Sequence, residues 1–207
     1  MEEYKKGNLT ILQMINDNSF DETVADELLC GVELNEPIYD EHDFSTTYLY
    51  EAVVANNLQA VKYLFEHGAD PNFYNPSITC DCPLWELQYI DEGKNVKERY
   101  EIEKLFFKYG ANPNLICENE GLCDYVLFKV YNDDPVSEDD WINLLQFYLL
   151  LVLYGGGDLE HGYAKPKIDN VDVDRVDDYH IELYRCDDGY HIGGRLIDKD
   201  GTILAEL

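Results

Sequence analysis

The stretch Glu66–Asn72, EHGADPN, returns as KYGANPN at Lys108–Asn114, and a third version, LYGGGDLE, runs from Leu153 to Glu160. Each follows an apolar run with helical spacing, so the fold turns on what needs the same turn three times. Upstream of the first copy the chain reads TTYLYEAVVANNLQAVKYLF. Leu49, Ala52 and Val53 recur at helical intervals, and Leu58, Val61, Leu64 and Phe65 do so again. Between these stripes stand Asn56 and Asn57, and asparagine tolerates the left-handed backbone that a tight helix–helix turn needs. Gly68 follows the second stripe, where a helix C-terminus favours positive φ. Pro71 stops any continuation. The unit is helix, tight turn, helix, glycine stop and extended loop.

This unit resembles the ankyrin repeat, which has a period of roughly 33 residues and a T-P-L-H-x-A signature. TYLYEAV, Thr47–Val53, keeps Thr47, Leu49 and Ala52, with Tyr48 and Tyr50 in the Pro and His positions. LQAVKYLFEHGADPN then follows the family pattern closely. A second copy starts at CPLWEL, Cys82–Leu87, with Trp85 in the His position. The signature starts Thr47 and Cys82 are 35 apart and the glycine stops Gly68 and Gly110 are 42 apart, which places seven extra residues around DEGKNVK. The third copy is degenerate in its first helix, GLCDYVLFKVY, but Ser137 heads SEDDW in a capping-box arrangement with Asp140, and Val136 and Trp141 fall at staple positions.

Toward the N-terminus GNLTILQMI, Gly7–Ile15, aligns with NNLQAVKYL, Asn56–Leu64, which makes residues 1–42 a divergent N-terminal capping unit. Residues 43–158 are the repeats, and residues 159–178 an acidic linker or arm. Residues 179–207 hold YHIELYRC, YHIGGRLI and TILAEL, separated by DDG and DKDG. Asp-Gly is a hairpin signal, so this segment reads as a three-stranded antiparallel meander capping the last repeat. The expected fold is mainly α: an ankyrin-repeat solenoid of three to four helix-pair units with a C-terminal β meander.

The charge narrows the partners. The chain has 43 Asp and Glu against 15 Lys and Arg, a net of −28. Residues 1–61 carry 2 basic and 13 acidic side chains, residues 62–109 carry 6 and 9, residues 110–164 carry 1 and 10, and residues 165–207 carry 6 and 11. No block is basic, so a phosphate backbone or an anionic membrane is repelled along the whole chain. A basic protein is attracted. The bland alternative is that the acid only keeps the protein soluble. The most apolar helix, WINLLQFYLLLVLY, is 14 residues long and too short to span a bilayer. The N-terminal residues do not read as a signal peptide, which points to a cytoplasmic protein with six reduced cysteines.

The chemistry-bearing residues read as structural. Cys80, Cys82, Cys117 and Cys123 are spaced C-x-C and C-x5-C, unlike common zinc modules. Cys82 and Cys123 share the repeat position of Thr47, where a small side chain starts a helix. DNVDVD, Asp169–Asp174, fails as a calcium loop because Arg175 stands where glycine is required. His67 belongs to the repeated turn as a hydrogen-bonded residue. Cys186, between His180 and His191, lacks an orienting partner for nucleophilic chemistry. No phosphate loop or G-x-S-x-G pattern occurs. Neither a cofactor, a metal nor catalysis is expected.

The aromatics point to binding. Tyr and Trp are favoured at interface hot spots, and Phe73, Tyr74 and Asn75 follow GADPN at a projecting loop. The resemblance implies a non-catalytic protein-binding module that meets partners through loop tips and first helices. The expected partner-binding residues are Phe73, Tyr74, Asn75 and Trp85, with Glu118 and Glu120 of the next loop. A small acidic protein of this kind is similar to the ankyrin-type immunity proteins of bacterial polymorphic toxin systems, whose role is to mask a cognate toxin, often a basic nuclease. A nucleic-acid mimic blocking a DNA-handling enzyme and a general ankyrin scaffold or effector are the alternatives.

Overall fold

A computed structural model describes residues 2–39, 45–74, 82–91, 93–117, 120–132, 137–154, 179–185 and 192–206. The chain divides into two compact units, one of Met1–Leu87 with Lys97–Ala111 and one of Gln88–Val96 with Asn112–Leu207. This boundary runs through the expected repeat region 43–158. The described residues hold eight helices, two short two-stranded hairpins and a three-stranded antiparallel sheet, so the chain is mainly helical, with the sheet at its C-terminal end as expected.

The first unit holds α1 (Glu2–Asn16) packed with α2 (Glu22–Leu28) and α3 (Tyr48–Val54) packed with α4 (Leu58–Glu66), followed by α5 (Pro83–Glu86) and by α6 (Val96–Lys108), which enters this unit at Lys97. A hairpin of β1 (Ile38–Tyr39) and β2 (Ser45–Thr46) precedes α3. Helix α3 packs against both α1 and α5. The second helices make their own row. Tyr63 Oη of α4 donates to Asp26 Oδ1 of α2 at 2.9 Å, and Phe65 of α4 meets Phe106 of α6 edge-on at 4.9 Å. The core between the rows holds Ile11, Ile15, Leu49, Ala52, Val53, Val61, Leu64, Leu84 and Ile102.

Local chemistry explains the repeated turn. Gly68 (φ 94°) and Gly110 (φ 89°) both adopt positive φ. After α4, Ala69 N–H donates to Leu64 O at 2.9 Å and Gly68 N–H to Phe65 O at 3.2 Å. After α6, Ala111 N–H donates to Phe106 O at 2.9 Å and Gly110 N–H to Phe107 O at 3.1 Å. Both are Schellman closures, which satisfy the last helical carbonyls. The Asp or Asn that follows then folds the chain again: Asp70 Oδ1 accepts from Asn72 N at 2.8 Å, and Asn112 Oδ1 from Asn114 N at 3.0 Å. Glycine ends the helix and the carboxylate or carboxamide turns the exit.

The turn has an earlier copy that its sequence conceals. Gly31 (φ 75°) follows α2, and Asn35 stands four residues on, as Asn72 stands four after Gly68. Asn35 Nδ2 donates to Gly68 O at 3.3 Å, and its Oδ1 accepts from Asp70 N at 2.8 Å. Asn72 Nδ2 donates in turn to Gly110 O at 3.0 Å. Each carboxamide reaches the glycine carbonyl of the next turn, so the turns are bonded to one another as well as closed locally. The version at Leu153–Glu160 lies outside the described residues from Gly155 onward.

The inter-helix turn follows the expected asparagine logic and also corrects one alignment. Asn56 is left-handed (φ 57°), and Asn57 caps α4, its Oδ1 accepting from Ala60 N at 3.0 Å while its Nδ2 donates to Ile15 O at 3.0 Å. Asn18 is the matching left-handed residue between α1 and α2 (φ 56°). Residues 7–15 therefore lie in a first helix, packed on α3, and not in a second helix as the alignment of Gly7–Ile15 with Asn56–Leu64 expects. The physical reason is that Asn8 stays inside α1 and, buried, accepts from Tyr48 Oη at 2.8 Å. A tertiary partner keeps a turn-forming residue helical.

Two ionisable groups sit in the helical core of this unit. Arg99 and Glu103, one turn apart on α6, are both buried. Burial pushes the Glu103 carboxyl well above the usual range, and the Arg99 charge pulls it only partly back. Toward the surface, His67 stacks on Tyr63 at 3.9 Å, and its Nδ1 lies 2.8 Å from Tyr63 O. Burial, together with the hydrogen bond to Asp26, pushes the Tyr63 phenol up to about 12.

The second unit pairs α7 (Leu122–Asn132) with α8 (Glu138–Leu153), and a hairpin of β3 (Ile116–Cys117) and β4 (Glu120–Gly121) precedes α7. Ser137 caps α8 through a 3.1 Å bond from Asp140 N to its Oγ, as the capping box predicts; the staple partner Val136 lies outside the described residues. Leu144, Leu145 and the run Phe147–Leu153 are buried because α8 meets α7 on one side and the sheet on another. That sheet is a meander, β5 (Tyr179–Arg185), β6 (Ile192–Asp198) and β7 (Ile203–Glu206), in the order β5-β6-β7. Arg195 stands opposite both Glu182 and Glu206. Its Nε donates to Glu206 Oε1 at 2.7 Å, and its guanidinium lies 4.2 Å from the Tyr184 ring centroid. The DKDG turn closes with Asp198 Oδ1 accepting from Asp200 N and Thr202 N, bonds that lower its carboxyl, and with Gly201 at φ 82°. Residues 159–178 lie outside the described residues.

Candidate protein-interaction surface

The first helices of the first unit set up a patterned face. Thr47 caps α3 in extended conformation, its Oγ1 accepting from Tyr50 N at 3.1 Å. Capping fixes the phase of the helix, so Tyr48, Leu49, Ala52 and Val53 turn into the core while Tyr50 and Glu51 are left half-buried. The second copy repeats this 35 residues on. Pro83, at the first helical position where its missing N–H costs nothing, starts α5, Leu84 is buried, and Trp85 and Glu86 are half-buried.

The corrected register of α1 extends the pattern backward. Asn18 and Asn56 are 38 apart, which pairs Leu12 with Tyr50 and Gln13 with Glu51, and places the buried Ile11 and Ile15 beside Leu49 and Val53. Three successive first helices thus carry Leu12, Tyr50 and Trp85 at one position, all half-buried. The adjacent position carries Gln13, Glu51 and Glu86. Tyr50 Oη lies 3.4 Å from Glu86 Oε2, a contact longer than a full-strength O–H···O bond, and it shows that Tyr50 reaches from α3 to α5. Thr46 Oγ1 donates to Glu51 Oε1 at 2.8 Å and so orients that carboxylate. On α3 and α5 the first of these positions is aromatic and the next acidic, while α1 carries Leu12 and Gln13 there.

Phe73 and Tyr74 follow the Asx turn of residues 70–72 and are half-buried, not the exposed tips that the sequence suggests. Within the turn Phe73 N–H donates to Asp70 O at 3.2 Å. Trp85 is half-buried on α5. Asn75 and Glu118 lie outside the described residues. Glu120 is in β4, opposite Cys117, and its side chain is likewise outside the description. Phe73, Tyr74 and Trp85 belong to the first unit, and Glu120 to the second. The more exposed apolar residues of the hairpins are Tyr39 on β1 (58%) and Ile116 on β3 (64%), neither expected from sequence.

Tyr50, Glu51 and Glu86 are also residues that sequence reasoning passed over. Their signal is present in the comparison of Thr47–Glu51, TYLYE, with Cys82–Glu86, CPLWE: the fourth place is aromatic and the fifth is Glu in both. Cys30 is exposed, Cys82, Cys117 and Cys123 are buried, and none of these four forms a disulfide. Among the described residues no group of three His, Cys, Asp or Glu converges as a metal-ligand set, and no described helix is long and apolar enough to cross a membrane.

Comparison with known proteins identifies the class of one segment. The ankyrin repeat family model matches residues 46–76, which take in α3, the Asn56–Asn57 turn, α4 and the Gly68 closure. No curated protein and no solved structure gives a match. The match supports the ankyrin repeat family, and repeats of that family are protein-binding modules.

Proposed function

We propose that the protein is a non-catalytic, cytoplasmic binding module of ankyrin-repeat type that masks a basic partner protein, and that the partner is a toxin of the nuclease class against which it confers immunity. In this reading the helix pairs form a short solenoid of three to four repeats, with the C-terminal sheet as its cap. The observation that carries the reading is the patterned face of α1, α3 and α5 in a chain of net charge −28. From Gly7 to Val61 there is no Lys or Arg and there are eleven Asp and Glu. A surface of that kind attracts a cationic cleft and competes with the nucleic acid the cleft would otherwise hold. In this reading Phe73, Tyr74, Asn75 and Trp85 of the first unit supply contact area, and Glu118 and Glu120 of the second unit supply further carboxylates.

The test is affinity capture from native cells at physiological salt, followed by surface plasmon resonance with the captured protein. The expected partner has a basic cleft, and its association rate falls as salt screens the field over a Debye length of about 8 Å. An acidic partner, or an association rate indifferent to salt, refutes the electrostatic part of the reading. Restoration of nuclease activity when the complex is dissociated separates the toxin role from scaffolding.

A further inference from the structure

We infer that α6 is a proton-sensitive latch of the first unit: it docks on α4 while Glu103 is a neutral acid and opens locally, ahead of α4, as Glu103 ionises. The basis is the placement of Glu103 in an apolar slot of the repeat. Matching closures fix the register of the two second helices, since Ala69 N–H donates to Leu64 O as Ala111 N–H does to Phe106 O, each at 2.9 Å. An offset of 42 residues, that of Gly68 and Gly110, therefore sets Phe106 on Leu64, Ile102 on Ala60 and Glu103 on Val61. All six of these side chains are fully buried. Helix α4 fills the slot with a hydrocarbon, and α6 fills it with a carboxyl.

That carboxyl is poorly compensated. Both of its oxygens are closed to solvent and have no hydrogen-bond partner among the described residues. Charged, it is a buried anion; neutral, it still leaves polar atoms unbonded, so either state weakens the docking of α6. The neutral state is the less costly one, because burial pushes the carboxyl well above its ordinary range and Arg99, one turn back, pulls it only partly down. The charges that flank it have other partners. On α6 itself Lys104 pairs with Glu101 at 2.8 Å, and on α4 Lys62 pairs with Glu66 at 3.9 Å while His67 lies 3.7 Å from Asp26. On α5, Glu86 meets Tyr50 Oη at 3.4 Å.

What α6 covers gives the latch its effect. Phe65 of α4 meets Phe106 edge-on and Tyr109 face-on, each at 4.9 Å, so release of α6 uncovers a buried ring. The chain also crosses between the two units on either side of this docked segment, at Val96–Lys97 and at Ala111–Asn112, so release lengthens the chain that joins them. A carboxyl raised in the folded state stabilises that state below its unfolded value and ceases to as pH rises through the folded one. The latch is therefore closed in acid and loosens as pH climbs.

The experiment is amide hydrogen exchange read by mass spectrometry on the full-length protein, corrected for the intrinsic effect of pH. In the wild type, α6 amides are expected to exchange faster than those of α4, the mark of an opening smaller than global unfolding. Their protection is expected to fall by up to about tenfold per pH unit above about pH 5, because the opened state gives up one proton. Glu103→Gln keeps the shape and cannot ionise, so its α6 protection is independent of pH. Glu103→Val supplies the residue that α4 carries, and it slows α6 exchange at about pH 8 by roughly tenfold. Circular dichroism melts establish that both variants are folded. If α6 and α4 exchange together, α6 is no separate latch. A pH response that persists in the Gln variant assigns the proton to another group. Faster α6 exchange in a folded Val variant shows that the carboxylate serves Arg99. Any one of these three results overturns the inference.

Discussion

Replacing Asn57 tests the hinge on which the first unit depends. The side chain is 97% removed from solvent (3% exposed) and works in both directions, accepting from Ala60 N at 3.0 Å and donating to Ile15 O at 3.0 Å. Asn57→Ala removes the cap of α4, a loss of about 1 kcal/mol. It also removes the 3.0 Å donor from the buried Ile15 carbonyl, which keeps only the longer bond from Asn18 N at 3.3 Å, a loss of about 0.5–1.5 kcal/mol more. The expected destabilisation is about 1.5–2.5 kcal/mol, read as a shift in the urea midpoint with unchanged slope. On heating it appears as a Tm lower by roughly 3–10 °C for a chain of this size. The sharper variant is Asn57→Asp. Aspartate is as good a cap as asparagine at an exposed helix start, but here its second oxygen would face the Ile15 carbonyl. Asn57→Asp should therefore lose at least about 2 kcal/mol. An Asp variant within about 0.5 kcal/mol of the wild type would show that the α1–α4 bond contributes nothing and would refute the reasoning.

Further expectations concern the glycines and the titrating groups. Nothing lies within 4 Å of a Cβ built on Gly68 or Gly110, so the penalty there is purely one of backbone conformation; valine should cost about 1–3 kcal/mol at either site in thermal melts, and asparagine much less. The Tyr63 phenol is raised from 10.0 to about 12, chiefly by burial and then by Asp26, so folding favours its protonated form. That contribution is fully present below pH 10 and is lost as pH rises through 12. Tyr63→Phe should flatten this alkaline decline in denaturant titrations run across the window. Glu103, raised well above its ordinary 4.5 by burial despite Arg99, likewise favours its protonated form in the folded state. Its stabilisation is present at acid pH and fades as pH climbs from 4.5 through the folded value. Glu103→Gln should lessen that slope, and a wild-type stability profile matching the variant's across the range would refute the assignment.

The α3–α4 repeat was legible because every determinant is local: two apolar stripes, one left-handed asparagine, one glycine and one proline, all between Thr47 and Asn72. The meander was legible for the same reason, since DKDG closes on its own side chain and β6 carries the buried pair Leu196 and Ile197. What escaped depends on partners distant in sequence. Asn8 reads as a turn residue until Tyr48, forty positions later, is seen to hold it inside a helix. GVELN at 31–35 does not resemble GADPN, because only the positive φ of Gly31 and the amide of Asn35 are conserved in role. The two-residue hairpin strands carry no periodicity at all. Trp85 stood out as an aromatic, but the row it belongs to required the correct phase of α1, and Tyr50 looked only like a departure from a signature.

The turn-to-turn bonds set the pitch of the first unit independently of how much chain is spooled between turns. Asn35 and Gly68 are 33 residues apart and Asn72 and Gly110 are 38 apart, yet the same carboxamide-to-carbonyl link joins each pair. A gauge fixed by the link, with slack taken up elsewhere, makes length between the helices of a pair an adjustable parameter. Closing a loop of twice the length costs only about 0.6 kcal/mol more. The segment around Asp91–Lys94, where this chain already carries extra residues, is therefore a natural port for grafted peptides, tags or a second recognition element.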